Sequence, residues 1–519
     1  MMQKGGMRVE RSWTSIYILT VIVYFMSHGL MLLVYGAWWD DMLLWNVSQE
    51  DIDYFLGPDN FNNPFLFYII KSIASIENIK VMTFLYRLVP FVCWLISVSS
   101  FFFFCKMITQ NKWFTLYASL LAASCGLNKC MLLICCYHYS ISIALFMLGL
   151  VLFVYDYYKE KYFAKLCVAI LWLLSLLVWR SAVLVIPGAM VMASMMKVGY
   201  DKHKLLSSIM KVLSYLIRNY YLILIFLTIF SLLYLTILAP KGVYAYYYAI
   251  DLNCFLLSPL TTFISCLALI LNYVTNIFIN NILFMHGTAF LMLGIIVVFL
   301  FYFVIEKKCE EVEISASIKI VALVFLFFSM MPHILIHKEI CFSFDITGYT
   351  SRVASLGVFP ISMFLGYLFC KFRLRYKNFY FSVLLLFSSL YSFKTYVDYR
   401  RGWKKNVEIA QFLKSRSFLN GCRLKFLDTA VDFSTFPSEA FRYYDMEGCA
   451  RLAYGKNTKT ICSNYYQKEE KDSIFEYDYM IYIYQNSNYG QPQSIKSYLI
   501  GDDGYNLDNL SFKLVKNIK

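Results

Sequence analysis

Charged side chains are scarce in this sequence. Only 15% of its 519 residues are Asp, Glu, Lys or Arg, whereas 60% are hydrophobic. A soluble domain has about a quarter charged residues, so this balance excludes an ordinary soluble protein and a disordered chain. The 15 cysteines contain no Cys-x-x-Cys pair and no Cys/His spacing typical of a zinc site. The 10 prolines and the absence of an internal repeat leave little material for the broken helices of many transporters.

Long apolar stretches, each of about twenty residues, recur over the first three quarters of the chain and are long enough to span a bilayer. Basic residues collect in the short loops between them, most clearly at 371–377, as expected for cytoplasmic loops. This distribution accounts for most of the net charge of +14 and argues against a nucleic-acid partner. The pattern predicts about eleven transmembrane helices, with the N-terminus in the cytoplasm and the C-terminus outside. The predicted spans are 12–35, 81–104, 113–134, 138–156, 163–179, 181–196, 219–239, 286–305, 317–336, 352–370 and 378–394.

The segment after the first span has no Lys or Arg. Residues 36–63 carry six acidic side chains, which predicts an outer loop. Residues 64–77 are apolar with helical periodicity but too short to span, and we expect an interfacial helix there. Residues 244–281 are also apolar, but a span there would place the basic loop at 371–377 on the wrong side. We therefore interpret them as a second outer loop with interfacial helices.

The chain divides into a membrane part, 1–394, and a polar, mixed-charge part, 395–519, long enough for a small domain. The stretch 402–416 has a helical pattern, whereas 423–430, 479–485 and 511–518 alternate as strands do. The predicted fold class is an all-α polytopic membrane protein with a small C-terminal α/β domain outside the membrane.

Two adjacent carboxylates, Asp40 and Asp41, follow the first span and lie between Trp38, Trp39 and Trp45. One interpretation is an interfacial tryptophan belt beside a solvated acidic loop. The other is catalytic: partial desolvation at the membrane edge raises the pKa of a carboxylate and makes it a better base. Such a base could deprotonate an acceptor hydroxyl, and the second carboxylate could position the acceptor or bind Mg²⁺ or Mn²⁺.

With this acidic pair, the sequence resembles the GT-C class of polytopic glycosyltransferases, which includes the lipid A aminoarabinose transferases and the protein mannosyltransferases. Members carry an acidic pair such as DD or DE after the first span, similar to Asp40-Asp41. In the aminoarabinose and mannosyl branches an interfacial helix follows, introduced by a proline-containing, apolar pattern. The stretches that resemble class patterns are Asn63-Pro64-Phe65-Leu66-Phe67-Tyr68, Arg87-Leu88-Val89-Pro90, Trp179-Arg180-Ser181-Ala182 and Arg352 followed by Pro360. The chain departs in three ways from patterns found in the class. Its acidic pair is DD where other members have DE, the Lys-Pro-Pro of the aminoarabinose branch is absent, and Val353 replaces a tyrosine.

The resemblance implies a polyprenyl-phosphate sugar as the donor and a lipid-linked glycan, a glycolipid or a protein as the acceptor. It also implies cations that hold the leaving phosphate, for which the planar arginine fork is suited. Arg180 and Arg352, both at predicted outer ends of spans, are the candidates, although either could simply be an interfacial side chain. For Arg87 a structural role, for example pairing with an acidic residue of the first loop, is favoured over the alternative of a direct contact with the substrate.

Two histidines at predicted outer helix ends are further candidates for substrate contacts. His138 could contact a sugar or an acceptor, and the alternative is a histidine satisfied at the interface. His333 and His337 are four residues apart, which would place both rings on one helical face and would permit a metal.

Two other functional classes fit parts of the pattern. An O-antigen-type polymerase or ligase has a similar number of spans, but usually carries its key cations in a large late outer loop. A lipid or sugar transporter, such as a flippase, usually has ionisable groups near the bilayer midplane. For a glycosyltransferase from a bacterium, the expected location is the inner (plasma) membrane, with membrane lipids as surroundings.

Overall fold

The structure is a computed structural model and describes part of the chain. The described residues are 3–37, 41–42, 44–47, 52–53, 56–57, 63–126, 129–159, 162–178, 186, 188, 190, 205–236, 241, 259–271, 317–334, 355–371, 377–428, 443–464, 477–485 and 510–516.

Most of the described residues are helical, and a small sheet follows near the C-terminus. The helices are α1 (Gln3–His28), α2 (Pro64–Ala74), α3 (Ile79–Thr109), α4 (Lys112–Ser124), α5 (Tyr137–Lys159), α6 (Tyr162–Val178), α7 (Leu205–Thr236), α8 (Pro259–Leu271), α9 (Ser317–Ile334), α10 (Val358–Lys371), α11 (Lys377–Lys414) and α12 (Tyr443–Tyr454). Short 3-10 turns cover Gly29–Leu33, Lys129–Leu132, Ile134–Cys136 and Ser417–Leu419.

Asparagine side chains begin three of these helices. Asn63, Asn78 and Asn111 each accept hydrogen bonds from backbone N–H groups of the first turn, which would otherwise lack partners. Pro64 occupies the first position of α2, where its missing N–H has no cost. Gln110 ends α3 in the left-handed conformation. The boundaries at these positions therefore follow from local sequence.

The helices of the bundle contact one another through buried hydroxyl pairs as well as apolar side chains. The hydroxyls of Thr20 in α1 and Ser119 in α4 are 3.0 Å apart, and those of Ser142 in α5 and Ser175 in α6 are 2.8 Å apart. Tyr24 donates a 2.7 Å hydrogen bond to the Phe91 carbonyl of α3. Since hydrocarbon offers no alternative partner, such pairs fix the helices relative to one another.

The bundle has two distinguishable ends. We call the end that holds residues 29–37, the turns at 129–136 and Val178 the acidic end, because the acidic segment 36–63 belongs to it. We call the other end, where α3 ends at Thr109 and α4 begins at Lys112, the basic end.

Among the described residues, three helical segments are long and apolar enough to cross a membrane: Trp13–Leu33, Ile79–Thr109 and Tyr137–Asp156. A fourth results if Met210–Tyr221 and Ile223–Phe230, which meet at an 80° bend, form one span. The structure therefore supports a largely helical, membrane-embedded protein, but not the predicted eleven spans.

Several predicted boundaries need correction. The helix expected over 113–134 ends at Ser124, and 129–136 continue as 3-10 turns. The helix predicted at 64–77 is present as Pro64–Ala74, and α8 lies within 244–281. The predicted spans at 181–196 and 286–305 lie outside the described residues, apart from single positions in the first.

The last bundle helix continues into the C-terminal domain. Helix α11 is 38 residues long and leads into a four-stranded sheet of β1 (Arg423–Asp428), β2 (Ile461–Asn464), β3 (Tyr479–Gln485) and β4 (Leu510–Lys516). The strand order is β2-β1-β3-β4; β1 pairs in parallel with β2 and β3, and β4 is antiparallel to β3. Helix α12 connects β1 to β2. A small sheet with helices is therefore present in the described residues of this part.

A buried ion pair fixes α11 to the sheet. Lys405 donates hydrogen bonds of 2.9 and 2.7 Å to the two carboxylate oxygens of Asp428, the last residue of β1. Both side chains are almost fully buried, at 0% and 1% exposed. Burial lowers the pKa of Lys405, whereas Asp428 opposes that shift by favouring the ammonium form.

Candidate functional site

Described residues of the acidic segment pack into the protein at the acidic end of the bundle. Asp41 and Met42 are fully buried, and so is Trp45. The indole N–H of Trp45 donates a 3.0 Å hydrogen bond to Thr83 of α3, and its ring is 5.1 Å from that of Trp403 in α11. Trp45 is therefore a core residue and does not belong to an interfacial belt.

Arg87 of α3 contacts the start of this segment. It is fully buried, and its guanidinium donates to three main-chain carbonyls: those of Val34, Gly36 and Leu132. Three donors in fixed directions suit the planar arginine fork. Arg87 therefore ties the chain that enters the acidic segment to the turn at the start of α5.

Asp41 lies beside Arg87. Electrostatic interactions link its carboxylate to the Arg87 guanidinium and to the hydroxyls of Tyr86 and Tyr137. The carboxylate is fully buried, and the Arg87 guanidinium is the cation that interacts with it. A carboxylate in this setting can orient a loop, but in the described conformation it is closed to solvent and to an acceptor.

The two described histidine candidates lie together near this group. His138 follows Tyr137 and is 6% exposed, and His333, in the last turn of α9, is 1% exposed. Tyr139 connects them: its ring centroid is 4.1 Å from His138 and 6.3 Å from His333, the latter in a stacked arrangement. Asp41, Arg87, His138 and His333 thus lie at the same end of the bundle, although the sequence separates them widely.

Helix α2 connects the far part of the acidic segment to the bundle. The Asn63 amide donates a 2.9 Å hydrogen bond to the Val178 carbonyl at the end of α6, while its oxygen accepts from Leu66 N–H. Lys71 forms a 2.5 Å ion pair with Asp53 of the acidic segment. Both partners are partly exposed, so this contact adds little stability.

Residues of the C-terminal part also contact the acidic segment, and the sequence offered no motif that identifies them. Among the described residues, they include Trp403 and Asn406 in α11 and Arg451 in α12. For Trp403, the possible signal in the sequence was a tryptophan isolated in a polar stretch.

The remaining predicted site residues, Asp40, Arg180 and Arg352, lie outside the described residues, as does His337. Within the described part of the chain, no group of three or more His, Cys, Asp or Glu side chains could hold a metal ion. A cation on the acidic pair stays a prediction.

Comparison of the chain with protein-family models, with curated proteins and with solved structures gave no match.

Proposed function

We propose that this protein is a membrane glycosyltransferase. It would transfer a sugar from a polyprenyl-phosphate donor to a glycan, glycolipid or protein acceptor. The observation that carries the proposal is the burial of Asp41, Met42 and Trp45 of the acidic segment at one end of an apolar bundle, with Asp41 beside the buried Arg87. A solvated loop that merely set membrane topology would not need a buried cation with three carbonyl partners.

The geometry supports different roles for the two adjacent carboxylates. Asp41 is closed off and faces Arg87, which suits it to position the segment. Its sequence neighbour Asp40 is then the candidate base. In the reaction, Asp40 takes the proton of the acceptor hydroxyl while that oxygen bonds to the anomeric carbon. The bond from that carbon to the phosphate oxygen breaks, and its electron pair leaves with the phosphate.

The leaving phosphate gains negative charge in this step and needs cations near it. Arg180 and Arg352 are the proposed phosphate ligands, as the resemblance to the GT-C class implies. His138 and His333, which share Tyr139 as a neighbour, are the proposed contacts for sugar hydroxyls.

The finer architecture belongs to the same proposal. About eleven spans in a GT-C-like arrangement would place the acidic end and the C-terminal domain on the outer face of a bacterial inner membrane. A lipid-borne donor would reach the acidic segment from the bilayer, and the acceptor would arrive from outside.

The test compares Asp40→Asn with Asp41→Asn in membranes supplied with polyprenyl-phosphate sugars. We expect Asp40→Asn to abolish glycan transfer while leaving expression and melting temperature unchanged. We expect Asp41→Asn to reduce the folded yield, because a buried charge that loses its partner costs roughly 3–5 kcal/mol. The measurements are transferred sugar and the fraction of monodisperse protein after detergent extraction.

Full transfer by Asp40→Asn would remove the assignment of Asp40 as the base. Full transfer by both variants would contradict the catalytic role of the acidic pair. Loss of transfer in a well-folded Asp41→Asn variant, with Asp40→Asn active, would reverse the two roles.

A further inference from the structure

Two main-chain carbonyls flank the acidic pair, and both accept hydrogen bonds from the C-terminal part of the chain. On the N-terminal side, the side-chain amide of Asn406 in α11 donates to the Ala37 carbonyl at 3.4 Å. On the C-terminal side, the Arg451 guanidinium in α12 donates to the Met42 carbonyl. Asp40 and Asp41 therefore lie in a short stretch that is held at both ends by residues from beyond position 400.

Close packing accompanies these hydrogen bonds. A Cβ added to Gly448, one turn before Arg451, would lie only 2.4 Å from the Met42 sulfur. A Cβ added to Gly36 would lie 2.1 Å from the ring of Trp403, and the φ of Gly36 is +125°, a value that favours glycine. At each of these two glycines, a side chain from the other part of the chain packs directly against the backbone, where a Cβ would have no room.

The two donors belong to one packed unit. Asn406 follows Lys405, whose ion pair with Asp428 fixes α11 to strand β1. Helix α12 packs against α11, and its Cys449 and Ala450 are buried in the same apolar core as Leu413 of α11. A displacement of this unit would therefore move both flanks of the acidic pair together.

We propose that the C-terminal domain is the positioning element of the acidic segment, and that Asn406 and Arg451 are its positioning residues. The catalytic consequence rests on the proposed function, whereas the structural claim does not. If the pair is catalytic, its placement relative to donor and acceptor must be accurate, since a misplacement of about 1 Å can cost on the order of a hundred-fold in rate.

A disulfide tests the structural claim without an activity assay. A Cβ on Gly448 would lie 3.2 Å from the Cβ of Met42, so a small outward shift brings the pair to the separation of about 3.5–4.5 Å found in disulfides. The variant carries Met42→Cys and Gly448→Cys in the full-length chain, with a specific protease site inserted in the basic loop at 371–377. After oxidation and cleavage, the two fragments stay joined on a non-reducing gel only if the bond has formed. Each single cysteine variant controls for pairing with native thiols.

Into this background we introduce Arg451→Met, which removes the donors but keeps most of the apolar stem. We expect the rate of cross-linking to fall about ten-fold or more, the rough effect of losing a hydrogen bond from a charged donor. Arg451→Lys, which can still donate, should restore part of the rate. Arg416→Met is the matched control, because the Arg416 guanidinium bonds only near its own position, to the Phe412 carbonyl and the Ser415 hydroxyl.

Glycan transfer by the same Arg451 variants, without the cysteines, tests the catalytic consequence. A positioning role predicts that Arg451→Met lowers kcat with little change in KM for the donor, and that Arg451→Lys recovers part of kcat. Asn406→Leu, which removes the second donor, should act in the same direction.

The outcomes separate the two claims. A cross-link that forms readily and weakens in Arg451→Met supports the positioning role even if the protein transfers no sugar. A cross-link that fails to form in a folded protein, or that is equally fast in Arg451→Met and Arg416→Met, overturns the positioning role. A weakened cross-link with unchanged transfer by a proven glycosyltransferase overturns the catalytic consequence alone.

Discussion

The bundle and the C-terminal domain each bury a cation, but they surround it differently. Arg87 donates to three main-chain carbonyls and faces the Asp41 carboxylate. Lys405 directs its ammonium group to both oxygens of a single carboxylate, Asp428. Arg87 holds main-chain segments that lie outside the long helices, whereas Lys405 joins helix α11 to strand β1. The comparison indicates that side-chain donors hold the main chain at the start of the acidic segment.

The largest effect is expected at Arg87. Arg87→Met would leave three carbonyls without this donor and Asp41 without its counter-charge, and breaking such a buried pair costs roughly 3–5 kcal/mol. We expect little folded protein, measured as the monodisperse fraction after detergent extraction. Arg87→Lys should give an intermediate yield, since it keeps the charge but loses the fork. A normal yield from Arg87→Met would show that the segment is held in another way.

A smaller effect is expected at the second cation, where both partners can be replaced. Lys405→Met alone would leave Asp428 buried and uncompensated, and should lower the melting temperature strongly. The double variant Lys405→Met, Asp428→Leu should recover much of that loss, because a buried ion pair is often no more stable than apolar side chains of similar size. A double variant as unstable as the single one would indicate that the pair itself stabilises the domain.

The smallest effect is expected from two matched tyrosine variants. Tyr24 in the bundle donates to the Phe91 carbonyl, and Tyr454 donates to the Leu413 and Arg416 carbonyls. Burial raises the pKa of Tyr454 to about 12, so its hydroxyl stays protonated and donates at neutral pH. We expect Tyr24→Phe to cost about 1 kcal/mol. Tyr454→Phe should cost less, because water can replace its hydroxyl at a partly exposed site. Equal shifts in melting temperature would contradict this difference.

The sequence predicted those helices and strands whose formation depends mainly on neighbouring residues. The Asn63-Pro64 start of α2 and the alternation in β3 are readable because caps and strand periodicity depend on neighbouring residues. Strand β2 was missed because four residues are too few to show a period. Helix α12 was missed because its apolar face is interrupted by Asp445 and Gly448, both buried against other parts of the protein.

The sequence identified only some residues of the candidate site, and the reason is physical. The acidic pair and Arg87 stand out because charge is rare in apolar sequence, and a buried charge needs a partner. Asn406 and Arg451 do not stand out, because they lie in a polar region where such residues are ordinary. Their hydrogen bonds join positions 369 and 409 residues apart, and only the folded chain reveals them.

The central claim is that the acidic segment and the C-terminal domain occupy the outer side of the membrane together. Single cysteines at three exposed positions test it directly: Glu77→Cys near the acidic segment, Phe418→Cys in the C-terminal domain and Gln110→Cys at the basic end. With a membrane-impermeant maleimide on intact cells, and the unsubstituted protein as background, we predict labelling of the thiols at 77 and 418. The thiol at 110 should react only after the membrane is opened. Labelling at 110 in intact cells, or protection at 77 or 418, would contradict the account.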